Sequence, residues 1–227
     1  MEKINYQKEL DKILTDISGT QNSEKPDLLL HACCGPCSSY VIEYLASIFN
    51  ITIYYYNPNI HPAEEYYRRL NELKKFLTVF PDAVKNQVQL VEDNYDPEEY
   101  FAAVNTREET ELCTEPEKGE RCRRCYKLRM ERAWKYACQN NFDWFTTTLS
   151  ISPHKDSQKI NTIGLQLDKE FAESVNNSGG SSLSRTKFLP SDFKKNGGFL
   201  RSTQLTTEYG LWRQDYCGCI YSMRNKK

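Results

Sequence analysis

Residues 27–37, DLLLHACCGPC, contain an apolar run that ends in a Gly-Pro turn. This pattern predicts a short strand followed by a tight loop. Apolar residues then recur at helical spacing, which predicts that a helix follows the loop. Three cysteines stand in the loop, at the carboxyl end of the strand, where open parallel sheets build their ligand sites. The residues with helical spacing are Tyr40, Val41, Tyr44, Leu45 and Ile48.

The same alternation continues along the chain. Further strands are predicted at residues 51–56, 87–91, 142–149 and 187–189, and helices at residues 62–80, 97–105, 122–140, 156–171 and 200–209. Because strands alternate with helices, the sequence predicts an α/β fold with a mostly parallel, Rossmann-like sheet flanked by helices. We expect a single domain over residues 1–227, with a helical extension at 1–25 and a flexible loop at 176–184.

The composition is that of a globular protein. The chain has 30 basic and 31 acidic residues among 227, and its hydrophobic fraction of 39% is enough for a packed core, which excludes global disorder. No segment approaches the ~18 apolar residues of a membrane helix, and MEKINYQKEL lacks the apolar stretch of a signal peptide. We therefore expect a cytoplasmic protein with no membrane partner.

Cysteine is the unusual residue type, with nine copies in a chain expected in a reducing compartment, where disulfides rarely persist. Metal binding or thiol chemistry is the first hypothesis. A C-x-x-C pair at a helix start puts two sulfurs on one helix face, where the helix amino terminus favours the thiolate form that metals bind. Two cysteines, Cys113 and Cys138, stand apart, and seven form three groups: Cys33, Cys34 and Cys37; Cys122 and Cys125; Cys217 and Cys219.

Different chemistries use different numbers of these thiols. A thioredoxin-like redox pair needs two cysteines, and a structural zinc site needs four. All seven grouped thiols are used if four hold an iron–sulfur cluster and three hold a second, tetrahedral metal completed by an oxygen or nitrogen ligand. Cys138 is expected to be a small core residue, whereas the role of Cys113 stays open.

Charge is unevenly distributed along the chain. Residues 92–117 are strongly acidic, and residues 118–135 are strongly basic. The basic segment could dock a polyanion, or it could be a solvated helix face that pairs with its acidic neighbour.

Several motifs together resemble one known family. Besides LLLHACCGPCSSYVIEYL, the chain contains YNPNIHPAEEYYRR, NYDPEEY, GERCRRCYKLRM, TTLSISPHKD, DFKKNGGFLRS and YGLWRQDYCGCIYS. These motifs, spread over residues 27–222, resemble the cobalamin-independent epoxyqueuosine reductases of the QueH type. The resemblance implies a fold like that of the nucleotide-binding HUP group, a [4Fe-4S] cluster beside one mononuclear iron, and cysteine and aspartate ligands. It also implies a tRNA partner, whose wobble epoxyqueuosine is reduced to queuosine.

The residue types suit this chemistry. Converting an epoxide into an alkene removes one oxygen with two electrons and two protons, and no side chain supplies electrons readily. An iron–sulfur cluster does so, and an adjacent metal acts as a Lewis acid toward the epoxide oxygen. The sequence leaves the electron donor unknown.

The seven grouped cysteines are the expected metal ligands, and the spacing leaves open which of them bind which metal. Asp96 is the first candidate for an oxygen ligand because it follows the third predicted strand, although it could equally cap the helix that starts at Pro97. Asp156 and Asp215 are the alternatives.

Candidates also exist for proton delivery and for tRNA contacts. His154, Lys155 and Asp156 follow the fourth predicted strand in SPHKD, and we expect one of them to deliver a proton, unless Asp156 only caps the next helix. Trp212 is a candidate for stacking on an extruded base. Basic residues near the cysteine groups are the candidates for phosphate contacts: Arg121, Arg123, Arg124, Lys127, Lys194, Lys195 and Arg201.

Two other functions stay open at this point. A HUP-type tRNA thiolation enzyme also combines cysteines with an α/β sheet, but it would need an SGGxDS-like ATP loop where this chain has HACCGPC. A non-enzymatic, zinc-dependent RNA-binding protein would contain zinc in place of iron and sulfide.

Binding of tRNA should weaken steeply with salt, because each phosphate contact releases counterions. Between about 50 and 200 mM salt, the measured affinity should fall by orders of magnitude if several phosphates are contacted. Equal affinity across this range would contradict a groove that contacts phosphates.

Overall fold

Five parallel strands form the centre of the protein. The computed structural model describes residues 3–19, 24–177 and 186–224, without the side chains of residues 171–177 and 224. The sheet order is β3-β2-β1-β4-β5, and every strand pairing is parallel. The predicted α/β fold with a parallel, Rossmann-like sheet is confirmed. The strands are β1 (Asp27–His31), β2 (Asn50–Tyr55), β3 (Gln89–Glu92), β4 (Trp144–Thr147) and β5 (Lys187–Phe188).

Helices connect these strands. Short 3-10 turns at Thr110–Cys113 and Thr148–Ile151 supplement them. The helices are α1 (Tyr6–Gly19), α2 (Gly35–Leu45), α3 (Ala63–Val79), α4 (Pro81–Lys85), α5 (Pro97–Val104), α6 (Glu120–Gln139), α7 (Ser157–Asn177), α8 (Gly198–Glu208) and α9 (Ile220–Arg224).

The sheet is buried on both faces. Leu28 and Leu30 of β1 belong to a core cluster that includes residues of α1, α2, α3 and α8, whereas Leu29 belongs to a second cluster with residues of α6 and α7. Successive side chains of a strand point to opposite faces, so helices cover the sheet on both sides. This explains why β1 is a continuous apolar run and does not alternate with polar residues.

The order of the strands defines the place for a ligand site. The chain builds β1, β2 and β3 outward in one direction and then crosses back to place β4 on the other side of β1. Ligands of such sheets bind outside the carboxyl ends of the strands where the order reverses. Here that point lies between β1 and β4, so the residues that follow these two strands face a common crevice.

Several observed elements differ from the predicted ones: α4 and α9 have no counterpart in the prediction, α7 continues beyond the predicted end at residue 171, and two other elements are shorter. The strand predicted at residues 142–149 is shorter, because the Thr147 hydroxyl accepts a hydrogen bond from the Leu149 N–H (3.2 Å) and starts a 3-10 turn. The helix predicted at residues 62–80 ends at Val79, because Phe80 is extended and Pro81 opens the short helix α4.

Helix α7 extends into the segment that was expected to be a flexible loop. Asn176 and Asn177 end α7, while the rest of the loop expected at residues 176–184 lies outside the described residues. Among the described helices, none is both long enough and apolar enough to cross a membrane.

The contact between α7 and β5 should be sensitive to a single methyl group. A Cβ on Gly164 would lie 2.3 Å from the ring of Phe188, which is buried. We expect Gly164→Ala to lower the free energy of unfolding by about 1–3 kcal/mol, as overpacked cores do, measured by urea denaturation. Gly19→Ala is the control, because a Cβ there meets no atom within 4 Å; equal stability of both variants would contradict this packing.

Candidate metal centre

The first cysteine group lies directly after β1. Cys34 is the N-cap of α2, where its Sγ accepts a hydrogen bond from the Cys37 N–H (3.4 Å). The Sγ atoms of Cys33 and Cys34 are 3.8 Å apart, and the sulfurs of Cys33, Cys34 and Cys37 all lie within 4.8 Å of one another. Three soft donors at these separations form a set that can hold a metal ion.

The electrostatics of this group favour a bound cation. Hydrogen bonds from the thiols of Cys34 and Cys37 hold the pKa of Cys33 well below its usual value, and the bond with Cys33 raises the pKa of Cys37 to about 12. Gln214 donates from Nε2 to Cys34 Sγ (3.1 Å), which adds a polar contact from the C-terminal part of the chain.

The other four grouped cysteines come from two distant parts of the chain, and together they form what is called the second cysteine group below. Cys122 and Cys125 lie in the first turns of α6, and Cys217 and Cys219 lie just before α9 with their sulfurs 3.6 Å apart. All four line one narrow cavity. The hydrogen bond from Cys217 lowers the pKa of Cys219 to about 6, whereas burial raises the pKa of Cys125 to about 11.

Contacts with α3 and with Ile60 fix the segment that carries Cys217 and Cys219. Arg69 of α3, which is buried, donates to the carbonyl oxygens of Tyr216 and Cys217 (both 3.3 Å) and to Glu65 (2.7 Å). Gly218 has a φ of 115° and a position where a Cβ would lie 3.0 Å from Ile60. A side chain at this position would be strained and would crowd Ile60, so glycine is favoured between the two cysteines.

The backbone of Gly218 also ties the segment to the loop after β2. Its carbonyl oxygen accepts a hydrogen bond from the His61 N–H (2.8 Å), and the Tyr216 hydroxyl donates to the carbonyl oxygen of His61. The two cysteines are thus held at the carboxyl edge of the sheet.

Buried cations surround the seven thiols. Arg121 and Arg129 are 1% and 2% exposed, and both line the narrow cavity. Within the described residues, Nε of Arg129 and Nε and Nη2 of Arg121 have no hydrogen-bond partner. Burial would lower the pKa of Lys155, but the nearby thiols of Cys33, Cys37 and Cys217 raise it above the usual value.

This arrangement fits an anionic metal–thiolate group. Charges buried without counterions are costly, so cations in this number require compensating negative charge in the same place. Thiolates with bound iron supply it, because each metal-bound cysteine is deprotonated. Both the donor set and the unpartnered guanidinium atoms therefore agree with a resident metal centre.

A larger open cavity adjoins the narrow one. It has a volume of about 650 Å³, and it shares Cys217, Glu117, His154 and Lys155 with the narrow cavity. This volume is in the range of small-molecule sites. Other lining residues come from the start of α2, from α8 and from the C-terminal segment: Pro36, Cys37, Phe199, Ser202, Thr206, Arg213, Gln214 and Asp215.

The structure separates the predicted carboxylates. Asp215 lines the open cavity. Asp96 lines neither cavity, and its Oδ1 accepts from the Glu98 N–H (2.9 Å) as the N-cap of α5. Asp156 does not line them either; its Oδ1 accepts from the N–H groups of Gln158 (2.9 Å) and Lys159 (3.3 Å) at the start of α7. His154, by contrast, lies on the wall of both cavities.

The predicted tRNA-binding residues fall into three sets. Arg121 is buried beside the thiols and stacks on the ring of Tyr221, so the structure does not offer it to a phosphate, and that expectation is corrected. Ion pairs within the chain engage four others: Arg123 with Glu120, Arg124 with Glu109 and Glu120, Lys194 with Asp192, and Arg201 with Glu43. Lys127 and Lys195 are exposed.

Three further residues, His31, Trp212 and Cys113, contact other groups of the protein. His31 is buried, with Nδ1 2.8 Å from the Thr147 hydroxyl and Nε2 3.2 Å from the Tyr56 carbonyl oxygen. Trp212 carries the guanidinium of Arg68 over its ring at 3.8 Å. Cys113 donates from its Sγ to the carbonyl oxygen of Thr106 (3.6 Å), outside both cavities.

The sequence reasoning missed several residues of the site. Arg129 could have been found, because Arg121, Cys125 and Arg129 recur at every fourth position and therefore share one face of α6. Arg69, Gln214 and Glu117 have no comparable local pattern, since they reach the thiols through tertiary packing. Lys155, by contrast, was one of the three candidates in the SPHKD motif.

The fold and this site define a class: an α/β protein with a thiol-rich metal centre beside a ligand cavity. Comparisons with known proteins make the class specific. The profile of the family "Epoxyqueuosine reductase QueH" matches residues 28–225. The chain belongs to the epoxyqueuosine reductase QueH family, which makes it an oxidoreductase of tRNA queuosine modification.

Individual relatives agree. The epoxyqueuosine reductase QueH of Streptococcus pyogenes serotype M1 is 40% identical over 98% of this chain and 80% of its own length. That of Staphylococcus epidermidis is 37% identical, over 97% and 85% respectively. Among solved structures, the U34-tRNA thiolase NcsA from Methanococcus maripaludis with its [4Fe-4S] cluster aligns with a TM-score of 0.48 at 12% identity, over 95% of this chain and 67% of that one.

Replacement of Asp96 should affect stability and leave the metal content unchanged. We expect Asp96→Ala to lower the free energy of unfolding by about 0.5–2 kcal/mol, because the cap of α5 is lost. Iron per chain should equal that of the unaltered protein. Loss of iron at unchanged stability would make Asp96 a ligand after all.

Proposed function

We propose that the chain reduces epoxyqueuosine at the tRNA wobble position with a [4Fe-4S] cluster and one additional iron. One observation carries this proposal: seven thiols from three distant parts of the chain converge at the carboxyl edge of the sheet, amid buried cations, beside a cavity large enough for a nucleobase. A purely structural zinc site would use four thiols and would need no such cavity.

The two cavities suggest how the thiols are divided. Cys122, Cys125, Cys217 and Cys219 would hold the cluster, because they share one cavity and such clusters take four thiolates. Cys33, Cys34 and Cys37 would hold the single iron. The 3.8 Å between the sulfurs of Cys33 and Cys34 matches the ~3.8 Å edge of a tetrahedron with ~2.3 Å metal–sulfur bonds.

The fourth ligand of the single iron would be a carboxylate on the wall of the open cavity. We assign this role to Asp215, which follows Gln214 and shares the cavity with Cys37. Asp96 and Asp156 line neither cavity, and Oδ1 of each accepts hydrogen bonds from backbone N–H groups at a helix start.

The reaction needs two electrons and two protons, breaks both carbon–oxygen bonds of the epoxide, and forms one carbon–carbon double bond and water. The metal centre supplies electrons one at a time and Lewis acidity when it is bound. The electrons come from an external one-electron reductant. Protons must come from groups that line the cavity.

His154 is the residue we assign to proton delivery. It is exposed on the wall of both cavities, and an imidazole titrates nearest to neutral pH. Lys155 keeps a positive charge next to Cys33, Cys37 and Cys217 and so stabilises negative charge that develops there. Asp156 holds this turn by capping α7, which makes it a positioning residue and not a proton donor.

The substrate would enter as a base extruded from the anticodon stack. The cavity of about 650 Å³ accommodates a modified nucleobase, with Phe199 as an aromatic wall. The exposed Lys127 and Lys195 can contact phosphates, and Arg123 can do so by exchanging its surface ion pair, which stabilises the fold only weakly.

An anaerobic assay tests the function directly. The reconstituted protein, a low-potential one-electron reductant and tRNA that carries epoxyqueuosine are incubated, and the nucleosides are digested and analysed by mass spectrometry. Loss of one oxygen from the modified nucleoside is expected. An unchanged nucleoside with fully loaded protein, or sulfur gained in place of oxygen lost, would reject the proposal.

Substitution of single cysteines tests the division of the thiols. Cys122→Ser should remove most of the iron together with the sulfide, whereas Cys34→Ser should remove about one iron per chain and keep the sulfide. Both should abolish activity. Cys138→Ser is the matched control, because Cys138 lines neither cavity, and it should keep iron, sulfide and activity. Equal loss of sulfide in the first two variants would reject this division.

A further inference from the structure

One face of α6 carries a buried cation next to the thiols. Cys122, Cys125 and Arg129 stand at positions i, i+3 and i+7 of this helix, which brings their side chains to the same side. Arg129 is 2% exposed and lines the narrow cavity together with the four cysteines. The guanidinium group is thus built into the wall of the thiol site.

Arg129 donates a hydrogen bond to a neutral amide, whereas other arginines of this protein, such as Arg132, pair with a carboxylate. Its Nη2 donates to Oδ1 of Asn57, and its Nε has no partner among the described residues. No carboxylate within the described ranges forms an ion pair with it. Arg132, one turn later, is different: it is half-exposed and donates from Nε to Asp93 (2.7 Å).

The negative charge that balances Arg129 comes from both cysteine groups. Burial would lower the pKa of Arg129, but attraction to Cys125 and Cys33, together with a hydrogen bond to Cys125, raises it above the usual arginine value. A buried guanidinium without such compensation would destabilise the fold, because the cost of removing the ion from water would not be offset.

Arg129 is also linked to the loop that carries the first cysteine group. Asn57, which is fully buried, accepts from Arg129 and donates from Nδ2 to the carbonyl oxygen of Ala32 (2.9 Å). Ala32 directly precedes Cys33. A short chain of hydrogen bonds therefore runs from the second cysteine group on α6, through Arg129 and Asn57, to the first.

We propose that Arg129 is a positioning residue that sets the reduction potential of the metal centre by placing one fixed positive charge between the two cysteine groups. This inference rests on the proposed function, since it requires a redox-active cluster at these thiols. Reduction adds negative charge to a buried site, and a fixed cation stabilises the reduced state. The potential is therefore higher than that of the same thiolates without the cation.

The experiment compares three variants with the unaltered chain after anaerobic reconstitution. Arg129→Gln removes the charge and keeps hydrogen-bonding groups, Arg129→Lys keeps the charge, and Arg132→Gln is the matched control on the same helix. Iron and sulfide per chain are determined first. The midpoint potential is then measured by redox titration monitored by electron paramagnetic resonance.

Arg129→Gln should shift the midpoint potential to a more negative value, Arg129→Lys should stay closer to the unaltered chain, and Arg132→Gln should not change it. The same shift in Arg132→Gln as in Arg129→Gln, or an unchanged potential in a fully loaded Arg129→Gln, would overturn the proposal.

The iron and sulfide content of the variants distinguishes the remaining outcomes. If Arg129→Gln fails to load but Arg129→Lys loads, the charge is required, which supports the proposal. If neither loads although both keep the circular dichroism and melting temperature of the unaltered chain, the role of Arg129 is not electrostatic and the proposal fails. Absence of a cluster from the unaltered chain would instead reject the proposed function.

Discussion

The parallel pairing of β1 with β4 is the constraint on which the site depends. A helix that links parallel strands must return the chain to the amino edge of the sheet, so each such helix begins at the carboxyl edge. The first turns of α2 and α6, with Cys34, Cys37, Cys122 and Cys125, therefore meet at one edge although 85 residues separate Cys37 from Cys122. The order β3-β2-β1-β4-β5 then opens a crevice there, and the turn with His154 and Lys155 lines it. The position of the site therefore follows from this topology.

The second requirement is a balance of charge. Arg69, Arg121 and Arg129 are each nearly inaccessible, and seven thiols lie among them. Each set alone would be unfavourable: buried guanidinium groups need negative partners, and crowded thiolates repel one another. Together they form a site in which an anionic metal–thiolate group balances the charge of the buried guanidinium groups. This balance connects the stability of the fold to the chemistry of its centre.

Sequence patterns were sufficient for the sheet, the longer helices and the three cysteine groups, because these depend on local periodicity and spacing, whereas the short helices α4 and α9 were not predicted. They were insufficient for Asp96, since an aspartate before a helix that starts with proline looks the same whether it caps the helix or binds a metal. They also misled for Arg121, which was counted with Arg123 and Lys127 as one basic surface. The helical period separates them: Arg121 shares its face with Cys125, and Arg123 shares the opposite one with Lys127. The acidic segment that precedes α6 accounts for part of this charge through Glu109, which pairs with Arg124.

The position of Cys217 and Cys219 has a consequence for biogenesis. The thiols that line the narrow cavity come from α6 and from the C-terminal segment that Arg69 and His61 hold beside it. Almost a hundred residues lie between Cys125 and Cys217. A ribosome exposes α6 well before it has made the segment that completes the four-cysteine set. If these four thiols hold the cluster as proposed, the cluster can be completed only after Cys219 has been made and has docked, so its assembly is a late event in the synthesis of the chain.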